Sequence, residues 1–90
     1  MYIGRLDWDD YRVEHISRHS VEPHEVWEVC NNRSHLARRQ GRNRYLVYGQ
    51  TLDGRYLFIV LERIQESVYK PITARNMTER EKQNFRRLRK

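Results

Sequence analysis

The longest apolar run in the chain, Tyr56-Leu57-Phe58-Ile59-Val60-Leu61, is hydrophobic at both parities. A run of that length, enclosed by Asp53-Gly54-Arg55 and Glu62-Arg63, predicts a central strand covered on both faces. Extended pattern surrounds it. Arg33 to Arg39 is set to pair with Arg44 to Thr51 across a turn at Gln40-Gly41-Arg42-Asn43, and Asp53-Gly54 is a hairpin signal ahead of Arg55 to Arg63. A loop around Gln65 to Ser67 leads to a last strand, Val68 to Arg75, in which Pro71 cannot donate to a ladder and requires an edge or a bulge.

Before Arg33 the period is helical. Tyr2 to Arg5 forms a short first strand, and Asp9 or Asp10 caps a helix running to about His19. Trp8, Arg12, His15, Ile16 and His19 share one stripe of that helix, by their i, i+4, i+7, i+8, i+11 spacing. Val21-Glu22-Pro23 opens a second helix that ends near Cys30, with Pro23 at the first helical position and Val21 able to staple onto Val26. At the other end, Thr78 to Glu81 has the form of a capping box. The helix it starts carries only Phe85 and Leu88 as apolar residues, so loose docking, or ordering by a partner, is expected. These elements predict an α+β fold, with two N-terminal helices packed on a four- to five-stranded, mainly antiparallel sheet, followed by a C-terminal helix.

Ninety residues support one core, so residues 1–90 are read as a single domain. No stretch approaches a membrane span and the N-terminus has no signal pattern, so a cytoplasmic location without membrane association is expected. The single cysteine, Cys30, excludes an intrachain disulfide and is read as a small buried apolar residue. Net charge is +6, and its distribution says more than its total. Residues 1–30 hold three arginines against seven acidic residues, whereas residues 31–90 hold fifteen basic residues against five acidic ones. A C-terminal two-thirds so strongly cationic suits a polyanion or an acidic partner.

His15 and His19 lie one helical turn apart, and His24 and His35 are further imidazoles. No third ligand is placed by the sequence, so no metal site and no cofactor is assigned. The two histidines either pack on the sheet as satisfied helix residues or serve in proton transfer and phosphate contact, which is what attack by a ribose 2′-hydroxyl uses. Arg55 and Arg63 bound the apolar strand and Arg75 ends the last one; guanidiniums gathered at strand ends suit a scissile phosphate. Tyr69 offers a ring for a base and Lys70 a charge beside it. Glu62 is expected to pair with an arginine of a neighbouring strand. There is no Ser/His/Asp order, Gly-rich phosphate loop or carboxylate pair of fixed spacing, so hydrolases of those classes are not supported.

Several of these residues occur together in one known pattern. Asp7-Trp8-Asp9 leads a helix that closes on Arg18-His19 before Val21. Tyr45 to Gly49, Asp53-Gly54-Arg55 and Glu62-Arg63 follow, and then Ile72-Thr73-Ala74-Arg75-Asn76-Met77-Thr78 with Glu81. From about Leu6 to Arg87 the chain resembles the BrnT family of bacterial type II toxin–antitoxin systems, most specifically in the I-S/T-A-R-x-x-T-x-x-E signature of that last stretch. It departs from the family in having Ser20 where Gly is usual and His15 where Asn is usual. The resemblance implies a RelE-like fold and a ribonuclease that cleaves RNA without metal. It also implies neutralisation by a ribbon-helix-helix antitoxin of the BrnA type, with operator DNA contacted only through the complex; a homodimer is left open. On the matched positions it implies His19, Arg63 and Arg75 as catalytic residues, with His15 as an alternative proton carrier. Tyr69, Lys70 and Arg55 would then position the RNA. A catalytically silent nucleic-acid-binding subunit and a protein adaptor are the competing expectations.

Overall fold

A computed structural model describes residues 1–89. The order of elements is β1 (Arg5–Leu6), α1 (Asp10–Ser17), α2 (Pro23–Cys30), β2 (Leu36–Gln40), β3 (Arg44–Gln50), β4 (Tyr56–Gln65), β5 (Val68–Asn76) and α3 (Glu79–Leu88). The strands form one five-stranded sheet in the order β1-β5-β4-β3-β2. Neighbours from β2 to β5 are antiparallel, and only β1 runs parallel to its partner. The α+β expectation holds, and β4 is the central strand.

The core lies on one face of the sheet. Leu57, Ile59 and Leu61 of β4 and Val47 of β3 have no exposed surface there, and Ile16 of α1, Val26 and Val29 of α2 and Val21 before α2 pack on the same cluster. Periodicity explains this, since alternate strand positions share a face and an apolar helical stripe has no other place to be buried. Helix α2 sits close enough that a Cβ built on Gly49 would lie 2.9 Å from Val29 Cγ1, so glycine is required at that strand position. The face of β4 one residue over is only half-buried, which corrects the expectation that both faces are covered.

Other boundaries moved for local reasons. Strand β1 is Arg5–Leu6, not Tyr2 to Arg5, because its pairing is with Val68 and Tyr69. Helix α1 stops at Ser17, before His19: Ser20 takes a left-handed φ of 59° and reverses the chain. Strand β2 begins at Leu36 because Asn32 holds the preceding residues in a turn, its side chain accepting from the Ser34 N–H and its carbonyl from the His35 N–H. Pro71 sits at a bulge, as its missing donor demands: Val60 pairs with Thr73 and Leu61 with Pro71, leaving Ile72 as the extra residue. Helix α3 is docked more firmly than its composition suggests. Phe85 is buried edge-on against Tyr56 at 6.0 Å, Arg86 Nε donates to the Tyr56 hydroxyl, and Thr78 caps the first turn, while Leu88 stays exposed.

Candidate active site

Beyond its two-residue pairing with β1, the edge of β5 is lined by α1. Asp9 caps that helix by accepting from the Arg12 N–H at 2.8 Å and places its second carboxylate oxygen 3.2 Å from Lys70 Nζ. The carboxyl is held below its ordinary range by the Arg12 N–H first and Lys70 second. One turn on, Arg12 donates to the Ile72 carbonyl, and His15 Nε2 lies 3.2 Å from Thr73 Oγ1. Tyr11, His15 and His19 form a continuous line: Tyr11 stacks on His15 at 6.2 Å, and His15 meets His19 edge-on at 5.8 Å. The helical spacing delivers the first pair, and the turn after Ser17 delivers His19, which is exposed.

Thr73 and Arg75 lie on the sheet face opposite the core, since Thr73 pairs with Val60 and Arg75 with Phe58. The Arg75 guanidinium stands 4.4 Å over the Phe58 ring and makes a two-pronged bond to Glu81 of α3, at 2.8 and 3.1 Å. The hydrogen bond from Arg75 is the chief reason the Glu81 carboxyl lies below its ordinary range, and the same bond raises Arg75. His15 and His19 therefore line the edge of β5 beside Thr73, and Arg75, two residues further along the same strand, faces outward over Phe58, which packs against Tyr48.

The remaining expected residues are elsewhere or otherwise engaged. Arg55 spends its guanidinium inside the protein, donating to the Ser20 carbonyl, Glu25 Oε1, Asn76 Oδ1 and, at 3.4 Å, the His19 carbonyl. It fixes the turn that carries His19 and offers no fork to a substrate. Burial alone would raise the Glu25 carboxyl, but the Glu22 N–H and Arg55 outweigh it and hold it low. Tyr69 is 6% exposed and edge-on to Tyr45 at 5.6 Å, so its ring is core and presents no face to a base. Burial, then Tyr45, pushes its hydroxyl up. Arg63 pairs with Tyr69 on the helix-covered face, roughly 17 Å along β4 from Phe58, so it does not join Arg75. Lys70 is on the outer face, held by Asp9. Glu62 lies in register with Arg44 and Lys70, yet among the described residues it closes no ion pair, Lys70 being drawn to Asp9.

Sequence reasoning missed Thr73 and Glu81 as parts of the site. Both carried a signal, Glu81 as the closing residue of the Thr78 capping box and Thr73 as a position of the same signature that holds Arg75 and Glu81, but neither pattern reveals its partner. Among the described residues no group of three or more His, Cys, Asp or Glu side chains is placed to hold a metal ion. Cys30 is buried and its thiol is pushed up to about 12 by desolvation, which leaves it unreactive. No described helix is long and apolar enough to cross a membrane.

No family model and no curated protein matches the chain. Among solved structures it is similar to the crystal structure of the Brucella abortus ribonuclease toxin, BrnT, with a TM-score of 0.67 over 83% of this chain and 97% of that one. Identity is 12%, so what the two share is the fold. The α+β architecture expected from the sequence is therefore that of a known toxin.

Proposed function

We propose that this chain is a cytoplasmic ribonuclease toxin of the BrnT type, which cuts RNA without metal and is neutralised by a ribbon-helix-helix antitoxin. The observation that carries the reading is the alignment of His15, His19, Thr73 and Arg75 along one edge of β5, within the fold of a ribonuclease toxin. In the reaction a ribose 2′-oxygen attacks the adjacent phosphorus. The new O–P bond forms as the bond to the 5′-oxygen breaks, leaving a 2′,3′-cyclic phosphate and a 5′-hydroxyl. The proton leaving the 2′-hydroxyl and the proton gained by the 5′-oxygen are carried by His15 and His19, whose near-contact allows one to act as base and the other as acid.

Arg75 stabilises the charge on the phosphorane oxygens. Its bonds to Glu81 and to the Asn76 carbonyl use three of the five guanidinium N–H donors, leaving two for substrate. Thr73 orients His15 and Glu81 orients Arg75.

The test is cleavage of a mixed RNA in the presence of EDTA. Arg75→Ala should lower the rate by about 10² to 10³, and the His15→Ala/His19→Ala pair by about 10² to 10⁴, with far-UV circular dichroism unchanged. Arg63→Ala should retain the activity. Undiminished cleavage by Arg75→Ala sinks the assignment. The engagement of Arg75 by a carboxylate favours one second reading, a silent nucleic-acid-binding subunit; for that, wild-type protein binds RNA in a salt-sensitive manner and cuts none.

A further inference from the structure

The hairpin formed by β2 and β3 is the most one-sided part of the chain. From Asn31 to Gln50 there are five arginines and no acidic residue. Arg39 has a structural use, closing the turn through bonds to the carbonyls of Gly41 and Arg42 at 3.1 and 2.9 Å. Arg38, Arg42 and Arg44 have none of that kind: all are exposed, and among the described residues none enters an ion pair. Arg38 pairs with Leu46 and Arg44 with Gln40, so the two arginines are diagonal neighbours on one face, where like charges repel. A charged edge strand resists aggregation, but Arg44 belongs to β3, which is paired on both sides, and Arg42 to the turn. Arg38 lies opposite Leu46 and Arg42 in the turn, whereas Arg44 lies opposite Glu62 without closing an ion pair with it, so the three guanidiniums stay open to an external anion.

Register places that anion. Leu36, Tyr48, Phe58 and Arg75 form one row across the outer face, and Arg38, Leu46, Val60 and Thr73 form the next. Arg38 therefore stands on the same surface as Thr73, three strand spacings or roughly 14 Å from it, and Arg44 shares that face two residues along β3, with Arg42 in the turn beyond. At the base of the hairpin, between β2–β3 and α3, is an open groove of about 220 Å³ lined by Leu36, Arg38, Tyr48 and Phe85 among others. Its floor is aromatic and apolar, and its rim carries Arg38 and Arg87 together with Glu81, whose carboxylate is taken up by Arg75, which is a combination that accepts a base together with its phosphates.

We propose that the β2–β3 hairpin and this groove form a second RNA contact, which grips a single strand on one side of the scissile bond. A base lies against Tyr48, and Arg38, Arg42 and Arg44 neutralise the phosphates that follow. The proposal rests on the ribonuclease reading for its ligand and adds to it where the strand runs and which substrates are bound well: strands long enough to reach β2, in preference to a dinucleotide.

The experiment compares wild type with Arg38→Gln/Arg42→Gln/Arg44→Gln, and with a control of equal charge change at exposed arginines, Arg5→Gln/Arg18→Gln/Arg80→Gln. Binding of a long single-stranded RNA is measured against salt, and cleavage is measured on that RNA and on a dinucleotide. The hairpin variant should bind the long strand about tenfold or more weaker, its slope of log affinity against log salt falling by about 2. Its KM for the long strand should rise while kcat, and cleavage of the dinucleotide, stay at the wild-type level. Affinity and slope equal to wild type, or an equal loss in the control, would overturn the proposal. If wild type cuts nothing but the hairpin variant alone loses salt-sensitive RNA binding, the ribonuclease reading fails and the second contact stands.

Discussion

Along β4, Leu57, Ile59 and Leu61 have no exposed surface, whereas Tyr56, Phe58, Val60 and Glu62, each one residue over, are half-buried. The first set lies beneath α1 and α2 with valines, isoleucine and the one glycine that lets α2 approach. The second set shares its face with Arg38, Arg44, Lys70 and Arg75, and is crossed only at one end by α3. A sheet needs one such covered face to fold. A second face rich in guanidinium and aromatic groups adds little to stability and much to what the molecule can bind. Burial and chemistry are separated by the two-residue period of the strand, so that substitutions one residue apart should have different consequences.

The largest stability effect tests that separation directly. Ile59→Ala should cost about 2 to 5 kcal/mol in urea denaturation, because a fully buried side chain is replaced by a cavity. Val60→Ala, the next residue along, should cost about 1 kcal/mol, since two methyl-sized groups only half-buried are lost. Equal costs would mean that the outer face is as structural as the inner. A smaller effect is expected at the point of closest approach: Gly49→Ala should cost about 1 to 3 kcal/mol, because the new methyl meets Val29 at 2.9 Å and the His35 Cβ at 3.3 Å. No loss there would show that α2 can move away from β3 freely. None of the three should change the cleavage rate per folded molecule by a large factor, as none touches His15, His19 or Arg75.

Much of the fold was legible because the signals were local. The apolar run of β4 located the central strand, Asp53-Gly54 its hairpin, Thr78 with Glu81 the start of α3, and Pro71 a break in the ladder. The candidate site was less legible, and β5 shows why. Simple alternation puts Tyr69, Pro71, Thr73 and Arg75 on one face, but the extra residue at Ile72 reverses parity between them. Tyr69 therefore falls into the core while Arg75 faces out. Arg55 misleads for a different reason: its partners lie 35, 30 and 21 residues away, at Ser20, Glu25 and Asn76, and no local pattern reveals that its donors are already satisfied. Arg63 and Arg75 both close apolar strands in the sequence, and only register reveals that they lie on opposite faces.

The smallest predicted effect lies at the rim of the covered face, where His35 packs beside Gly49. Its Nδ1 is 2.7 Å from the Asn32 carbonyl, which requires the proton on Nδ1, and its Nε2 is buried without a partner. Protonation would put a charge in a half-buried site where Nε2 makes no hydrogen bond. Burial is the main reason the imidazole is held below its ordinary pKa of 6.5, outweighing the Asn32 carbonyl, which favours the charged form. With the folded value depressed, the unfolded chain takes up the proton first on acidification. The stability from neutral His35 is then present in full above about 6.5 and is lost as pH falls from there through the lower folded value, with a slope of at most about 1.4 kcal/mol per pH unit. The carboxyls of Asp9, Glu25 and Glu81, also depressed, act in a separate window below about 4.5, so the two losses are distinguishable. Urea midpoints followed downward from neutral pH should fall in wild type ahead of the carboxylate range. His35→Asn, which keeps a donor for the Asn32 carbonyl but does not titrate, should remove that first decline. An unchanged pH profile in the variant would place the proton-sensitive contact outside the covered face.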